Sequence, residues 1–202
     1  MSKNSKMNLP NRLTLARILL TPVCVAVIML KTVPFTDLIG AFLFLLIAIT
    51  DMLDGKIARK YNLITDFGKF LDPLADKFLV VGTYLALIYR SEGFFTLALI
   101  IVTIVTIFRE FAVSSVRLVV NSSAKIVIPA NYLGKIKTVS QMVFVIAYLV
   151  EPTLLKLLPF MPEALVKIPP ITVASLAVCL VFTVISGIVY LKAYMPYISA
   201  DK

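Results

Sequence analysis

Asp51-Met52-Leu53-Asp54-Gly55-Lys56-Ile57-Ala58-Arg59, then eight residues, then Gly68-Lys69-Phe70-Leu71-Asp72-Pro73-Leu74-Ala75-Asp76: this stretch decides how the chain is read. Its carboxylates stand three residues apart in the first half and four apart in the second. On a helix either spacing puts the pair on one face. The first pair ends an apolar run, Leu38 to Thr50, and the second precedes another, Phe78 to Tyr89. Acids at the ends of membrane helices are costly unless they are paired, hydrated or bound to a cation.

Crowding then points to chemistry. Four close carboxylates cannot all stay ionised without positive charge beside them. Hard divalent cations take oxygen ligands, and Mg²⁺ in particular combines carboxylates with substrate phosphates. The chain has no His, and its two Cys lie far away at 24 and 179, so a zinc-type donor set is missing. Gly55 removes a side chain where another molecule can approach the backbone. Arg59 presents a planar fork suited to phosphate. Acids, an open glycine and an arginine suggest phosphoryl transfer from a pyrophosphate donor. Taken singly, the same residues have plainer readings. Asp72 before Pro73 reads as an N-cap with proline at the first helical position. Asp51 and Asp54 read as ion-pair partners of Lys56, Arg59 or Lys60, and Gly68 as a turn residue. The joint spacing is what favours a site.

The pattern Asp51-x-x-Asp54-Gly55-x-x-Ala58-Arg59-(x)8-Gly68-x-x-x-Asp72-x-x-x-Asp76 resembles the signature of the CDP-alcohol phosphotransferases, with eight fixed positions over 26 residues and no departure. The resemblance implies a membrane enzyme that makes phospholipids from CDP-activated lipids or alcohols. It implies that Asp51, Asp54, Asp72 and Asp76 hold two divalent ions, Mg²⁺ or Mn²⁺, with Asp72 bridging. It implies that Asp76 is the general base toward the acceptor hydroxyl. Asp54, Gly55, Arg59, Thr65 and Gly68 match positions that meet the CDP part of the donor. A homodimer is implied as well. Outside the signature, the runs Asn8–Arg17, Asp72–Lys77, Arg109-Glu110 and Gly134–Thr138 resemble the branch of the family that joins sn-glycerol 3-phosphate to CDP-diacylglycerol. Inositol phosphate, serine and phosphatidylglycerol are the other acceptors to weigh.

Composition agrees with a membrane protein. Hydrophobic residues make up 60% of the 202, against roughly 45–50% in soluble domains. A net charge of +9 would point to nucleic acid in a soluble protein. Here the cations cluster between apolar runs, so the expected partners are anionic headgroups, membrane lipids and phosphorylated substrates, with no nucleic acid. Cys24 and Cys179 sit in apolar runs and read as small hydrophobes. The N-terminal run resembles a signal peptide but lacks a small-residue cleavage site, so it is expected to be an uncleaved first span.

The expected architecture is an all-α integral membrane domain over 1–202. A short interfacial amphipathic helix at 8–17 precedes six transmembrane helices, at about 18–30, 37–59, 67–89, 94–120, 137–150 and 171–190; the first run is short, so the interfacial segment is expected to continue into it. Asp66 is the expected cap of the third. Residues 121–135 form a basic link. After Val150 comes a proline-rich loop with a short interfacial helix, Thr153 to Leu158. Counting Lys and Arg places fourteen on the side of the N-terminus and four on the other, Lys31, Arg90, Lys156 and Lys167. The positive-inside rule then puts both termini and the acid cluster on the cytoplasmic face of the cell membrane.

A second group lies outside the signature. Arg109 stands in an apolar run beside Glu110, and Arg117 follows eight residues later, near the same helical face. Lys135 and Lys137 open the next span. These four read either as anchors for a phosphate-bearing acceptor, or as an ion pair plus lysines snorkelling to lipid. A rival of another class is a cation transporter using the four acids as an ion pathway. It predicts acids near mid-membrane, where the enzyme predicts them near one face.

Overall fold

The computed structural model describes residues 8–31, 33–61, 65–123, 132–158 and 160–199. The side chains of 9, 52, 54–60, 66, 67, 69, 121–123 and 196–199 also lie outside the description. The described residues form seven helices: α1 Leu9–Met29, α2 Thr36–Lys60, α3 Asp66–Arg90, α4 Phe94–Ser123, α5 Tyr132–Leu157, α6 Glu163–Lys167 and α7 Pro170–Ser199. They fall into two compact units, Met1–Glu92 and Gly93–Lys202.

Among the described residues, four stretches are long and apolar enough to cross a membrane: Pro10–Met29, Phe94–Val120, Tyr132–Leu157 and Glu163–Met195, the last containing most of α7. The outward faces agree. Phe42 is 63% exposed and Phe108 71%. Large apolar surfaces of this kind suit lipid and not water. The protein is therefore a multi-pass membrane protein. Helices α2 and α3 are not among the four, although each has 25 residues, enough for about 37 Å. Helix α3 carries Asp72, Asp76 and Lys77 in its first half. Helix α2 has described side chains only as far as Leu53. Charged residues within a helix are what lower its hydropathy as a span.

In the first unit α1 packs on both α2 and α3. Its C-terminal half supplies Cys24 and Ile28 to a core completed by Phe44 and Ile47 of α2 and Leu79, Tyr84 and Leu87 of α3. At one end of this unit Arg90 pairs with Asp37 and donates to the carbonyl of Ile28 at 3.0 Å. That ties the end of α3 to the start of α2 and the end of α1. The opposite end of the unit holds the acids.

The segment at 8–17 continues into the first span, as the shortness of that apolar run implies. One helix runs through it and through the first span. Nothing between Arg17 and Ile18 breaks a helix, and Pro22 is accommodated inside it. The polar face, Asn11, Thr14 and Arg17, is buried within the unit and does not lie on headgroups. The cap of α3 also differs from expectation. Thr65, not Asp66, is the N-cap, and its Oγ1 accepts from the Gly68 amide at 3.0 Å. Asp72 and Pro73 lie inside α3, which removes the N-cap reading of that pair.

In the second unit α7 packs on both α4 and α5. Helix α5 begins five residues earlier than expected and runs through Pro152 to Leu157, so residues 153–157 continue the span and form no separate helix. The short helix of this region is instead α6. A tether from α5 explains the continuity. The buried carboxylate of Glu151 accepts from the amides of Ile171 and Thr172, at 2.9 and 2.6 Å, and from the Thr172 hydroxyl at 2.8 Å. Pro170 opens α7, so these are the first two amides of that helix, which have no partner within it. Glu151 supplies that partner from α5 and places negative charge at the positive end of α7. Of the expected link 121–135, residues 121–123 belong to α4 and 132–135 to α5, and 124–131 lie outside the described residues.

Candidate active site

The acid end of the first unit is built on α1. The Arg17 side chain is fully buried and pairs through Nη1 with Oδ1 of Asp51, whose side chain is 35% exposed. A buried guanidinium is tolerated only when paired. One turn earlier, Thr14 donates from Oγ1 to Asp72 Oδ1 at 2.8 Å, and its hydroxyl also lies 3.1 Å from the carbonyl of Pro10. So one face of α1 holds an acid from α2 and an acid from α3. The residues that hold the two carboxylates stand three positions apart on that face. Each is held through Oδ1, and no contact among the described residues engages Oδ2 of either. Asp76 follows Asp72 by one helical turn and is half-buried.

The first turn of α3 is fixed by a directed chain of hydrogen bonds. The Gly68 amide donates to Thr65 Oγ1, and the Thr65 hydroxyl donates to Asn11 Oδ1, both at 3.0 Å. A Cβ at Gly68 would lie 2.8 Å from Asn11 Oδ1 and 3.2 Å from Thr65 Oγ1. Glycine at 68 therefore permits α3 to approach α1, which accounts for it without a turn. Thr65, a sequence candidate for the donor, has its hydroxyl engaged in this chain.

The side chains of Asp54, Lys56, Arg59 and Lys60 lie outside the description, as do the surroundings of Gly55. Among the described residues Asp51 has its ion pair with Arg17, and no group of three His, Cys, Asp or Glu side chains converges on one point. The donor chemistry fits a hard divalent ion all the same. Two carboxylates, from two helices that both pack on α1, each present an uncontacted oxygen, and no thiol or imidazole competes.

In the second unit, Arg109 and Lys137 meet on one carboxylate. Arg109 Nη1 donates to Glu110 Oε1 at 2.9 Å, and Lys137 pairs with the same oxygen from α5. All three are largely buried. The ion-pair reading of Arg109 thus holds, and it draws in Lys137, which is buried and not snorkelling. Two cations on one anion leave an excess of one positive charge. Arg117 is exposed; its Nη2 lies 3.4 Å from the Tyr190 hydroxyl. The guanidinium carbons of Arg109 and Arg117 lie 5.7 and 5.8 Å from the Tyr190 ring centre, within cation–π range. Tyr194 stacks on that ring at 5.7 Å. Gly187 makes room for Arg109, because a Cβ there would sit 3.0 Å from Arg109 Cγ. A cavity of about 170 Å³ between α4 and α7 reaches Arg109 and Thr183, with a lining that is otherwise mostly apolar, including Phe108, Val113 and Ile188. Among the described residues Arg109 Nε and the Tyr194 hydroxyl are buried without a hydrogen-bond partner. Such donors suit an oxyanion. Lys135 is exposed in the first turn of α5.

Sequence reasoning missed Asn11, Thr14, Arg17 and Tyr190. For the first three a signal existed: polar residues every third position on a segment that continues into an apolar span. Tyr190 offered none.

A family model described as CDP-alcohol phosphatidyltransferase matches residues 7–185. Among curated proteins, the CDP-diacylglycerol–glycerol-3-phosphate 3-phosphatidyltransferase of Bacillus subtilis (strain 168) is 41% identical over 191 residues, covering 89% of this chain and 91% of that protein. The protein of the same name from Rickettsia bellii (strain RML369-C) is 37% identical over 190 residues, covering 94% and 97%. That from Rickettsia felis is 34% identical over 190 residues, with the same coverage.

Proposed function

The chain belongs to the CDP-alcohol phosphatidyltransferase family, and from that premise we propose that it transfers the phosphatidyl group of CDP-diacylglycerol to sn-glycerol 3-phosphate. The products are phosphatidylglycerophosphate and CMP. The observation that carries the acceptor is the identity over nine-tenths of the chain to relatives named for that reaction. Family membership makes the protein a transferase and sets the ion-pathway reading aside. It also carries a general dependence on a divalent metal.

The reaction is a displacement at phosphorus. Asp76 takes the proton from the acceptor's primary hydroxyl. The freed oxygen forms a bond to the phosphorus on the diacylglycerol side of the pyrophosphate. The bond from that phosphorus to the bridging oxygen breaks, and CMP leaves with the electron pair. Asp51, Asp54, Asp72 and Asp76 would hold the divalent metal, in our proposal two Mg²⁺ or Mn²⁺ ions, which when bound neutralise charge on the pyrophosphate. Arg17 and Thr14 fix Asp51 and Asp72 from behind. Arg59, with Gly55 and the first turn of α3 at Thr65 and Gly68, takes the CDP part of the donor. In the second unit Arg109, Arg117, Lys135 and Lys137 hold the acceptor phosphate, helped by the excess charge on Glu110 and the uncommitted Arg109 Nε.

The proposal includes six spans in one domain, a homodimer, and both termini and the acids on the cytoplasmic side, where CMP is released. The test is CMP release by purified protein with CDP-diacylglycerol, Mg²⁺ or Mn²⁺, and a panel of acceptors. Release with sn-glycerol 3-phosphate, abolished by chelator and restored by either ion, is the expected result. Transfer to inositol phosphate, serine or phosphatidylglycerol in its place would reassign the acceptor within the family. Full activity in excess chelator would remove the metal.

A further inference from the structure

We propose that Arg17 is a built-in counter-cation of the acid cluster, a positioning residue that holds Asp51 by one oxygen and moderates how tightly the cluster takes a divalent ion. The inference rests on the metal reading above. Its own footing is geometric. Arg17 is fully buried on α1 and pairs with Asp51 of α2 through Oδ1 alone among that acid's described contacts. Asp72 of α3 is held on the same face of α1, by a residue three positions before Arg17. The neighbouring α1 contact, Thr14 on Asp72 Oδ1 at 2.8 Å, is neutral. So among the described contacts on these two acids, α1 contributes one permanent positive charge and one neutral donor.

Two effects of Arg17 oppose each other. Fixing the Asp51 carboxylate, with Oδ2 uncontacted, favours metal binding by preorganisation. A guanidinium within a few ångströms of a divalent ion disfavours it by direct repulsion, in a partly buried place where screening is weak. The repulsion acts on the full charge of the ion, whereas preorganisation saves only the ordering of one short side chain, so repulsion is the larger effect. Before the ion arrives the balance is reversed. Without Arg17, Asp51 and Asp72 would stand uncompensated on one face of α1, and the packing of α2 and α3 on α1 would suffer. Arg17 thus keeps the metal-free unit assembled and gives up some metal affinity in return.

The test uses the full-length protein in detergent, with Mn²⁺ as the probe. Metal affinity is read by electron paramagnetic resonance of free Mn²⁺, and Tm is measured in chelator and in saturating Mn²⁺. Arg17→Gln is expected to lower Tm in chelator by several degrees, to bind Mn²⁺ about tenfold tighter, and to recover most of the lost Tm when Mn²⁺ is added. Thr14→Val, which removes a hydrogen bond and no charge, is expected not to tighten Mn²⁺. Arg17→Lys keeps the charge on a compact head that cannot match the guanidinium's reach, and should sit close to the native protein, within about threefold in affinity and on the tighter side. Should Arg17→Gln not be recovered folded, Arg17→Lys decides by the same sign. Equal or weaker Mn²⁺ binding in the deciding variant overturns the inference while leaving the metal reading in place. No Mn²⁺ binding by the native protein would overturn both.

Discussion

Arg109 and Lys137, from different helices, share a single oxygen, Oε1 of Glu110. The sharing fixes the local charge. With both cations present the triad is positive by one; with either removed it is neutral. An oxyanion is attracted to the first state and indifferent to the second. Arg109→Ala should therefore raise KM for sn-glycerol 3-phosphate by about tenfold or more, through lost charge-assisted bonding. KM for CDP-diacylglycerol should stay within about threefold. Initial-rate kinetics with each substrate varied in turn makes the measurement; equal rises in both would take Arg109 out of the acceptor site.

Gly68 gives a test of how α3 is seated. Alanine in a helix is favoured over glycine by up to about 1 kcal/mol. Against this, a Cβ at 68 would push on Asn11 Oδ1 at 2.8 Å and disturb the bond from Thr65, at a cost of about 1 kcal/mol. In the native background Gly68→Ala should leave Tm unchanged or lower it. In an Asn11→Ala background the nearer obstacle is gone, Thr65 Oγ1 at 3.2 Å is free to shift, and the same change should be less costly or raise Tm. A double-mutant cycle reads the coupling, expected at about 0.5 kcal/mol or more. Simple additivity would mean that the approach of Asn11 to Gly68 is not tight in the folded protein.

Glu151 separates stability from catalysis. It satisfies two amides and a hydroxyl at the start of α7. Glu151→Ala leaves these donors without an acceptor, and should cost about 2–3 kcal/mol of stability. Glu151→Gln keeps an acceptor oxygen and loses only the charge at the helix start, so it should cost about 1 kcal/mol or less. Both variants should keep near-native KM values at low temperature, since Glu151 belongs to neither proposed binding group. Thermal denaturation in detergent ranks them; a tolerant Glu151→Ala would show that water takes over these amides.

The sequence made the acids legible because their spacing is local. Three and four residues are helical intervals, and a helix needs no tertiary knowledge to put Asp72 and Asp76 on one side. It made four spans legible for the same reason. Arg17 was not legible, because its partner lies in another helix and burial of a charge depends on what packs above it. The amphipathic look of 8–17 was real, but its polar face turns to protein and not to headgroups. Pro152 misled in a different way. Proline weakens a helix in isolation, yet α5 runs on through it, beside the anchor that Glu151 makes to α7. Position 65 shows the limit of capping rules, since both Thr65 and Asp66 are good caps and only the seat of α3 chooses between them.

The last prediction concerns Asp76. It stands one turn after Asp72 on α3, half-buried. The proposed base must accept a proton, so its action requires the carboxylate form. The native rate should therefore fall as pH is lowered far enough to protonate Asp76. Asp76→Asn keeps the size and one oxygen acceptor but cannot take the proton. At saturating Mn²⁺ and donor, kcat should fall by about a thousandfold, within the range expected for loss of a general base. The residual rate should lose the acid limb of the native pH profile, because the group responsible for that limb is gone. Binding of CDP-diacylglycerol, measured directly without the acceptor, should change by less than about tenfold, since the base acts after the donor is seated. Asp72→Asn makes the contrast. Its carboxylate is held by Thr14, on the face of α1 that also holds Asp51, so its loss should weaken Mn²⁺ and donor binding together and leave the shape of the pH profile in place. Near-native turnover in Asp76→Asn would exclude it as the base. A loss of donor binding equal to that of Asp72→Asn would make Asp76 a metal-holding residue only, and the proton would then have to be taken by another group.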